Sequence, residues 1–202
     1  MRTRPGNLFI PVCAALLFII SGSSLRGQNL RSDPAFLPKA ESPDKSLTLS
    51  LLKNPQKLVG VSLVSLKGNR FEVTFPLSAP VRSWNVQQVQ FSSPMWTDNS
   101  SAVALMISDG KNGEVYACAK LTNGMFKAFN LTGLATRTHL GVMGRPATDF
   151  IRSEHTPVEW GNWTAQHGRI IDVRSRFWDK ENKRYSITGP YLIGNNGELG
   201  SQ

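Results

Sequence analysis

Residues 169–193 read RIIDVRSRFWDKENKRYSITGPYLI. Side chains two apart share a face of a β-strand, and this stretch alternates on that period. Ile171, Val173, Ser175 and Phe177 fall on one side, with Ile170, Asp172, Arg174 and Arg176 on the other. One side is largely apolar and the other largely Asp-Arg-Arg, as in a sheet with one wet face. Asp179, Lys180, Glu181, Lys183 and Arg184 cluster around Asn182, between this run and KRYSITGPYLI. Charge at such a turn is solvated and protects a strand from edge pairing. The stretch therefore predicts a β-hairpin, not an active site.

The same texture extends toward the amino terminus. SLTLSLL, Val59–Leu66 and RFEVTF alternate in turn. VRSWNVQQVQF, residues 81–91, continues the pattern imperfectly, so a strand with a bulge is expected there. AVALMIS, residues 102–108, is almost wholly apolar and predicts an interior strand. EVYACAKL and MFKAFNL flank Thr122-Asn123-Gly124, a tight hairpin signal because Asn and Gly tolerate positive φ. Residues 132–157 are less regular and read as a long connection with one helical turn. VEWGNWTA then predicts another strand, with Trp160 and Trp163 on opposite faces. A sustained 3.6-residue period is missing, and short strands recur every 8–12 residues or so. The expected class is all-β and antiparallel, a small β-sandwich or propeller-blade-like sheets, with low helix content.

The amino terminus has a different character. MRTRPGN is basic, Leu8–Ile20 carries no charge, and SGSSLRGQ is small and polar. These are the three parts of a secretory signal peptide, and the apolar run is short of the roughly 20 residues that span a bilayer. Residues 1–27 are expected to be a signal peptide, 28–46 a flexible leader rich in proline and charge, and 47–202 a single β domain. The expected destination is periplasmic or extracellular, with a retained amino-terminal membrane anchor as the alternative. No membrane span is expected after cleavage. Cys118 would then be the only cysteine left, and its apolar strand pattern predicts a buried small hydrophobe. Arg2, Arg4 and Arg26 leave with the signal peptide, so 20 of the 23 basic side chains remain against 14 acidic ones, a net charge of +6. That balance is modest and the basic residues are spread out, so nucleic acid is not an expected partner.

A weak repeat is visible as well. Trp96-Thr97 precedes AVALMIS as Trp163-Thr164 precedes RIIDVRS. Each run ends in a serine, then a polar turn, then a strand with a tyrosine (Tyr116 or Tyr185), and an Asn-Gly pair follows later. The stretch WTDNSSAVALMISDGKNGEVYACAKLTNG, through Trp96, Asp98, Asp109, Gly113, Tyr116 and Gly124, resembles one WD-like blade of the TolB-type β-propellers. The poorer second copy runs from Trp163 to Gly197 and lacks the aspartate. The resemblance implies two blade-like modules, 92–131 and 158–202. At about 40 residues per blade, the chain holds at most about four blades.

Catalysis is not expected. No Gly-x-Ser-x-Gly elbow frames a serine after the signal peptide. The alternative is a secreted hydrolase using Glu154, His155, His167 or Asp172, which would need those groups within hydrogen-bond reach. His139, His155 and His167 lie 16 and 12 residues apart, which is not metal-ligand spacing, and neither a metal nor a cofactor is expected. Exposed aromatic residues offer flat area with a polar tip. Trp160, Trp163 and Trp178 with Arg174 and Arg176 are therefore the expected binding residues, for a protein or a glycan. The sequence sets no oligomeric state. The expected function is that of an exported, non-catalytic binding or structural module of the cell envelope or extracellular space. Intact-mass measurement of the exported chain is expected to place its first residue just after a cleavage between Ser23 and Gly27; a full-length, membrane-bound product would show the anchor instead.

Overall fold

A computed structural model describes residues 37, 40–53, 58–85, 88–162 and 168–201. The chain runs β1 (Leu47–Lys53), β2 (Leu58–Ser65), β3 (Arg70–Thr74), α1 (Ala79–Ser83), β4 (Gln90–Phe91), β5 (Met95–Trp96), β6 (Ala102–Ser108), β7 (Gly113–Lys120) and β8 (Phe126–Asn130). It continues with α2 (Thr132–Met143), a 3-10 turn (Ala147–Asp149), β9 (Phe150–Trp160), β10 (Arg169–Asp179), β11 (Arg184–Ile193) and β12 (Leu199–Ser201). Strands β1–β3 form a small antiparallel sheet. The others form a nine-stranded sheet in the order β12-β11-β10-β9-β7-β6-β4, with β5 beside β6 and β8 beside β7. Over the described residues the protein is thus mainly antiparallel β with little helix, and the sheets form no closed barrel.

The apolar run of β6 explains the layering. Val103, Leu105 and Ile107 face one core with Leu49, Val61 and Leu63 of the small sheet; Tyr116 and Cys118 of β7 join them. Ala102 and Ala104 face the other way, with Val115, Ala117 and Ala119 of β7. That second core also holds Leu131 and Ala135 of the α2 region, Ile171 and Val173 of β10, and Tyr191 and Ile193 of β11. The β6–β7 pair is therefore a middle layer buried on both faces. Its bulky side meets the small sheet. Its alanine side leaves room for α2 and for the β10–β11 hairpin, which the large sheet brings back over it. β7 meets β9 in a single parallel bridge, Gly113 to Glu154.

The 169–193 stretch behaves as its pattern predicts. Burial alternates along the whole of β10, with the odd-numbered residues from Arg169 to Asp179 buried and the even-numbered ones half-buried. The turn differs in one respect, since Asp179 is buried rather than solvated. Its carboxylate accepts from the backbone N–H groups of Glu181 (3.1 Å) and Lys183 (2.9 Å) and from the Tyr185 hydroxyl (3.1 Å). Asn182 takes φ 59°, as the central position of such a turn requires. Cys118 is fully buried, and burial pushes its thiol well above the usual range.

Three expectations are corrected. Residues 81–91 are not one strand: Ala79–Ser83 is a helix, and only Gln90–Phe91 pairs with β6. Ser78 caps the helix by accepting from Val81 N–H, and Pro80 sits in its first turn, where its missing N–H costs nothing. Val81 and Trp84, three apart, both pack on the first core. Residues 132–157 hold a 12-residue helix and most of an 11-residue strand. The helix carries glycine and β-branched threonine and only Ala135, His139 and Leu140 as buried residues, so its apolar stripe is thin. It ends at Gly144 in the left-handed region, φ 63°, a common helix stop. The 158–165 strand likewise ends at Trp160, and Trp163 lies outside the described residues. Ahead of β1, Leu37 and Ala40 are buried in the first core, and Glu41 bridges Thr48.

The two faces of the middle layer call for opposite side-chain sizes. Leu105→Ala is expected to cost about 2–5 kcal/mol through the cavity it leaves. Ala117→Leu is expected to cost about 1–3 kcal/mol by overpacking. Urea denaturation of both variants checks the pair.

Candidate functional site

The expected binding residues divide between two places. Opposed residues of an antiparallel pair share a face. Arg174 lies between Thr156 and Thr188, Arg176 between Glu154 and Ser186, and Trp178 between Arg152 and Arg184, all on the outer face of β9–β10–β11. Arg176 Nη1 is 3.1 Å from Glu154 Oε1. The Arg152 guanidinium lies 4.3 Å over the Trp178 ring and also donates to the Lys111 carbonyl. Trp160 opposes Ile171, on the inner face, and packs against the second core. Trp160 thus does not share a surface with Arg174, Arg176 and Trp178. Trp163 and His167 lie outside the described residues.

The inner face carries a chain of polar groups that sequence reasoning did not assemble. His139 of α2, His155 of β9, Ser175 of β10 and Tyr191 of β11 are all buried. Hydrogen-bond accounting orders the protons. The Thr136 hydroxyl donates to the Thr132 carbonyl (2.8 Å), so it accepts from His155 Nε2–H at 3.1 Å. His155 Nδ1 is then bare and accepts from the Ser175 hydroxyl (2.7 Å). Ser175 Oγ in turn accepts from His139 Nδ1–H (2.6 Å), and His139 Nε2 accepts from the Tyr191 hydroxyl (3.0 Å). Every proton has one destination, with both imidazoles neutral. Burial holds both histidines below the usual 6.5, His155 at about 4 with His139 adding to the effect. Burial also pushes Tyr191 up to about 12, against a hydrogen bond from Thr138. Gly189 makes room for the ring: a Cβ there would stand 2.9 Å from His139 Nε2.

This chain joins α2 to three strands and faces away from solvent. Ser175 is 0% exposed, and its hydroxyl meets the two imidazoles. A cavity of about 160 Å³ lies beside it, lined by Thr136, Leu140, Phe150 and Phe177 among others. Glu154 points to the opposite face of β9, toward Arg176. Of the hydrolase candidates, Glu154 and His155 are therefore neighbours in sequence but not in space, and Asp172 lies on the outer face beside Glu159. Among the described residues no group of three His, Cys, Asp or Glu could hold a metal ion.

Trp160 lies in a larger cleft, about 490 Å³, lined by Trp96, Asp98, Asn99, Glu159 and Arg169 among others. The Trp160 indole N–H donates to the Met95 carbonyl (2.9 Å), which sets the ring plane. Thr97 Oγ1 accepts from the N–H groups of Ser101 (3.1 Å) and Ala102 (3.0 Å). Asn99 Oδ1 accepts from Ser101 N–H (3.2 Å) and from its hydroxyl. The turn is thereby pinned, with Asp98 and Asn99 exposed at the rim. Arg169, at the start of β10, donates to the Ser101 carbonyl at 3.1 Å. Trp96 and Arg169 were visible in the sequence only as a repeat marker and a strand end. The signal that joins them to Trp160 is the polar WTDNSS turn ahead of an apolar strand. Comparison with protein families, with characterised proteins and with solved structures finds no match.

Both buried histidines are less basic folded than unfolded, so as pH falls the unfolded chain takes up protons first. Stability is expected to be level above about pH 6.5 and to fall as pH drops toward 4, by about 3 kcal/mol for His155 alone. Urea midpoints across that window measure the slope. Ser175→Ala should cost roughly 2–3 kcal/mol at pH 7 by leaving ring nitrogens unpaired.

Proposed function

We propose that the protein is an exported, non-catalytic binding module of the cell envelope or extracellular space, and that it holds a glycan in the Trp160 cleft. The amino-terminal pattern of basic, apolar and small residues supports export. The observation that carries the binding reading is the cleft itself, in which the half-buried Trp160 indole stands beside the Asp98 carboxylate, the Asn99 amide and the Arg169 guanidinium. A sugar ring presents an apolar C–H face, suited to an indole, and a circle of hydroxyls, suited to polar groups at the rim. A secreted hydrolase would ask for a reactive pair open to substrate. His155 instead bonds Ser175 and Thr136 in a sealed layer.

Affinity electrophoresis of the processed chain through gels containing soluble polysaccharides tests the reading. Retardation by at least one polymer is expected. Trp160→Ala should weaken it about tenfold or more, while Trp160→Phe keeps part of it. Migration unchanged by every polymer would overturn the reading, as would turnover of a glycoside lost on replacing His155.

A further inference from the structure

Arg169 is 8% exposed and lines the Trp160 cleft. A guanidinium has five N–H donors, and the hydrogen bond that Arg169 makes among the described residues is the one to the Ser101 carbonyl. That oxygen already accepts from Lys120 N–H at 2.8 Å. The ion pairs of the described residues are Arg70–Glu72, Arg145–Asp149 and Arg176–Glu154; none involves Arg169. Asp98 and Glu159 line the same cleft, but both are exposed and beyond ion-pair distance of it. Residues 163–167, just ahead of Gly168 and Arg169, are Trp, Thr, Ala, Gln and His and include no carboxylate. Burial pulls the guanidinium below its usual value, with no carboxylate acting in the opposite direction. A cation taken out of water without a countercharge is costly, and its free donors open onto a cavity.

We infer that Arg169 receives the carboxylate of an acidic sugar whose ring stacks on Trp160. The inference rests on the glycan reading of this cleft and names its ligand class. A carboxylate is planar and matches the guanidinium fork. It also carries one charge, as the guanidinium does. A phosphate or sulfate cluster would bring further negative charge against Asp98, whereas that single carboxylate at the rim accepts hydrogen bonds from sugar hydroxyls.

The test uses oligosaccharide pairs that differ only in charge: galacturonate, glucuronate and mannuronate oligomers, each as the free acid and as the methyl ester. Titration of the processed chain by calorimetry is expected to show the acid of at least one pair binding about tenfold tighter than its ester. Because the cation is buried, the preference should persist at 0.5 M salt. Arg169→Met should remove the preference, and Arg174→Gln on the outer face should leave it intact. The ester comparison on the unaltered chain decides the matter even if Arg169→Met fails to fold. Equal binding of acid and ester, or a preference lost with salt or with Arg174→Gln, overturns the inference and leaves the glycan reading standing. Binding of neutral polymers alone does the same. No binding of any oligomer or polymer overturns both.

Discussion

The β6–β7 pair is buried on both faces, and the rest of the molecule is arranged to cover it. Valine, leucine and isoleucine on one side bring in the small sheet; alanine on the other lets α2 and the returning hairpin come close. Each fully buried aliphatic side chain contributes about 1.5–3 kcal/mol, so the layer stabilises both cores at once. Small side chains on the second side also let β10 and β11 of the same sheet pack back onto β6 and β7.

Bending the sheet creates a second problem, which the polar chain from Tyr191 to Thr132 resolves. The space between α2 and β9–β11 is filled partly by hydroxyls and imidazoles rather than by methyl groups. Buried polar groups are tolerated when all of them are hydrogen-bonded, and here each proton has a single acceptor. The arrangement works with neutral histidines only, because a further proton would leave a hydroxyl without an acceptor. The same feature that seals the helix to the sheet ties the two imidazoles to a structural task.

Charge is handled differently at different depths. On the outer face Arg152 lies over Trp178 and Arg176 meets Glu154, and just past α2 Arg145 sits 4.7 Å from both the Phe150 and Tyr185 rings while bonding Asp149. These groups complete one another within the chain. Arg169, on the inner face at the edge of the second core, meets a backbone carbonyl instead. The contrast between these three arginines and Arg169 sets the cleft apart.

Much of this was legible in the sequence. Strict alternation in RIIDVRSRFW set which side chains are buried, because a strand has a period of two and one buried face. The apolar run AVALMIS announced an interior strand, and Asn-Gly and charged clusters marked the hairpins. The helix at 132–143 was not legible, since its glycine and threonine content and thin apolar stripe carry little periodic signal; packing on β7, β10 and β11 decides it. The candidate sites were legible only residue by residue. Trp160 and Trp178 stood together as a group in sequence, but a bulge near Val173 and the pleat of β9 send them to opposite faces. His139, His155, Ser175 and Tyr191 lie on four elements. Trp96 and Arg169 come from strands about 70 residues apart. The local pattern of a chain determines which side of a strand is wet; which wet or dry groups then meet is decided by how the sheet folds over, a long-range packing choice that no short stretch encodes.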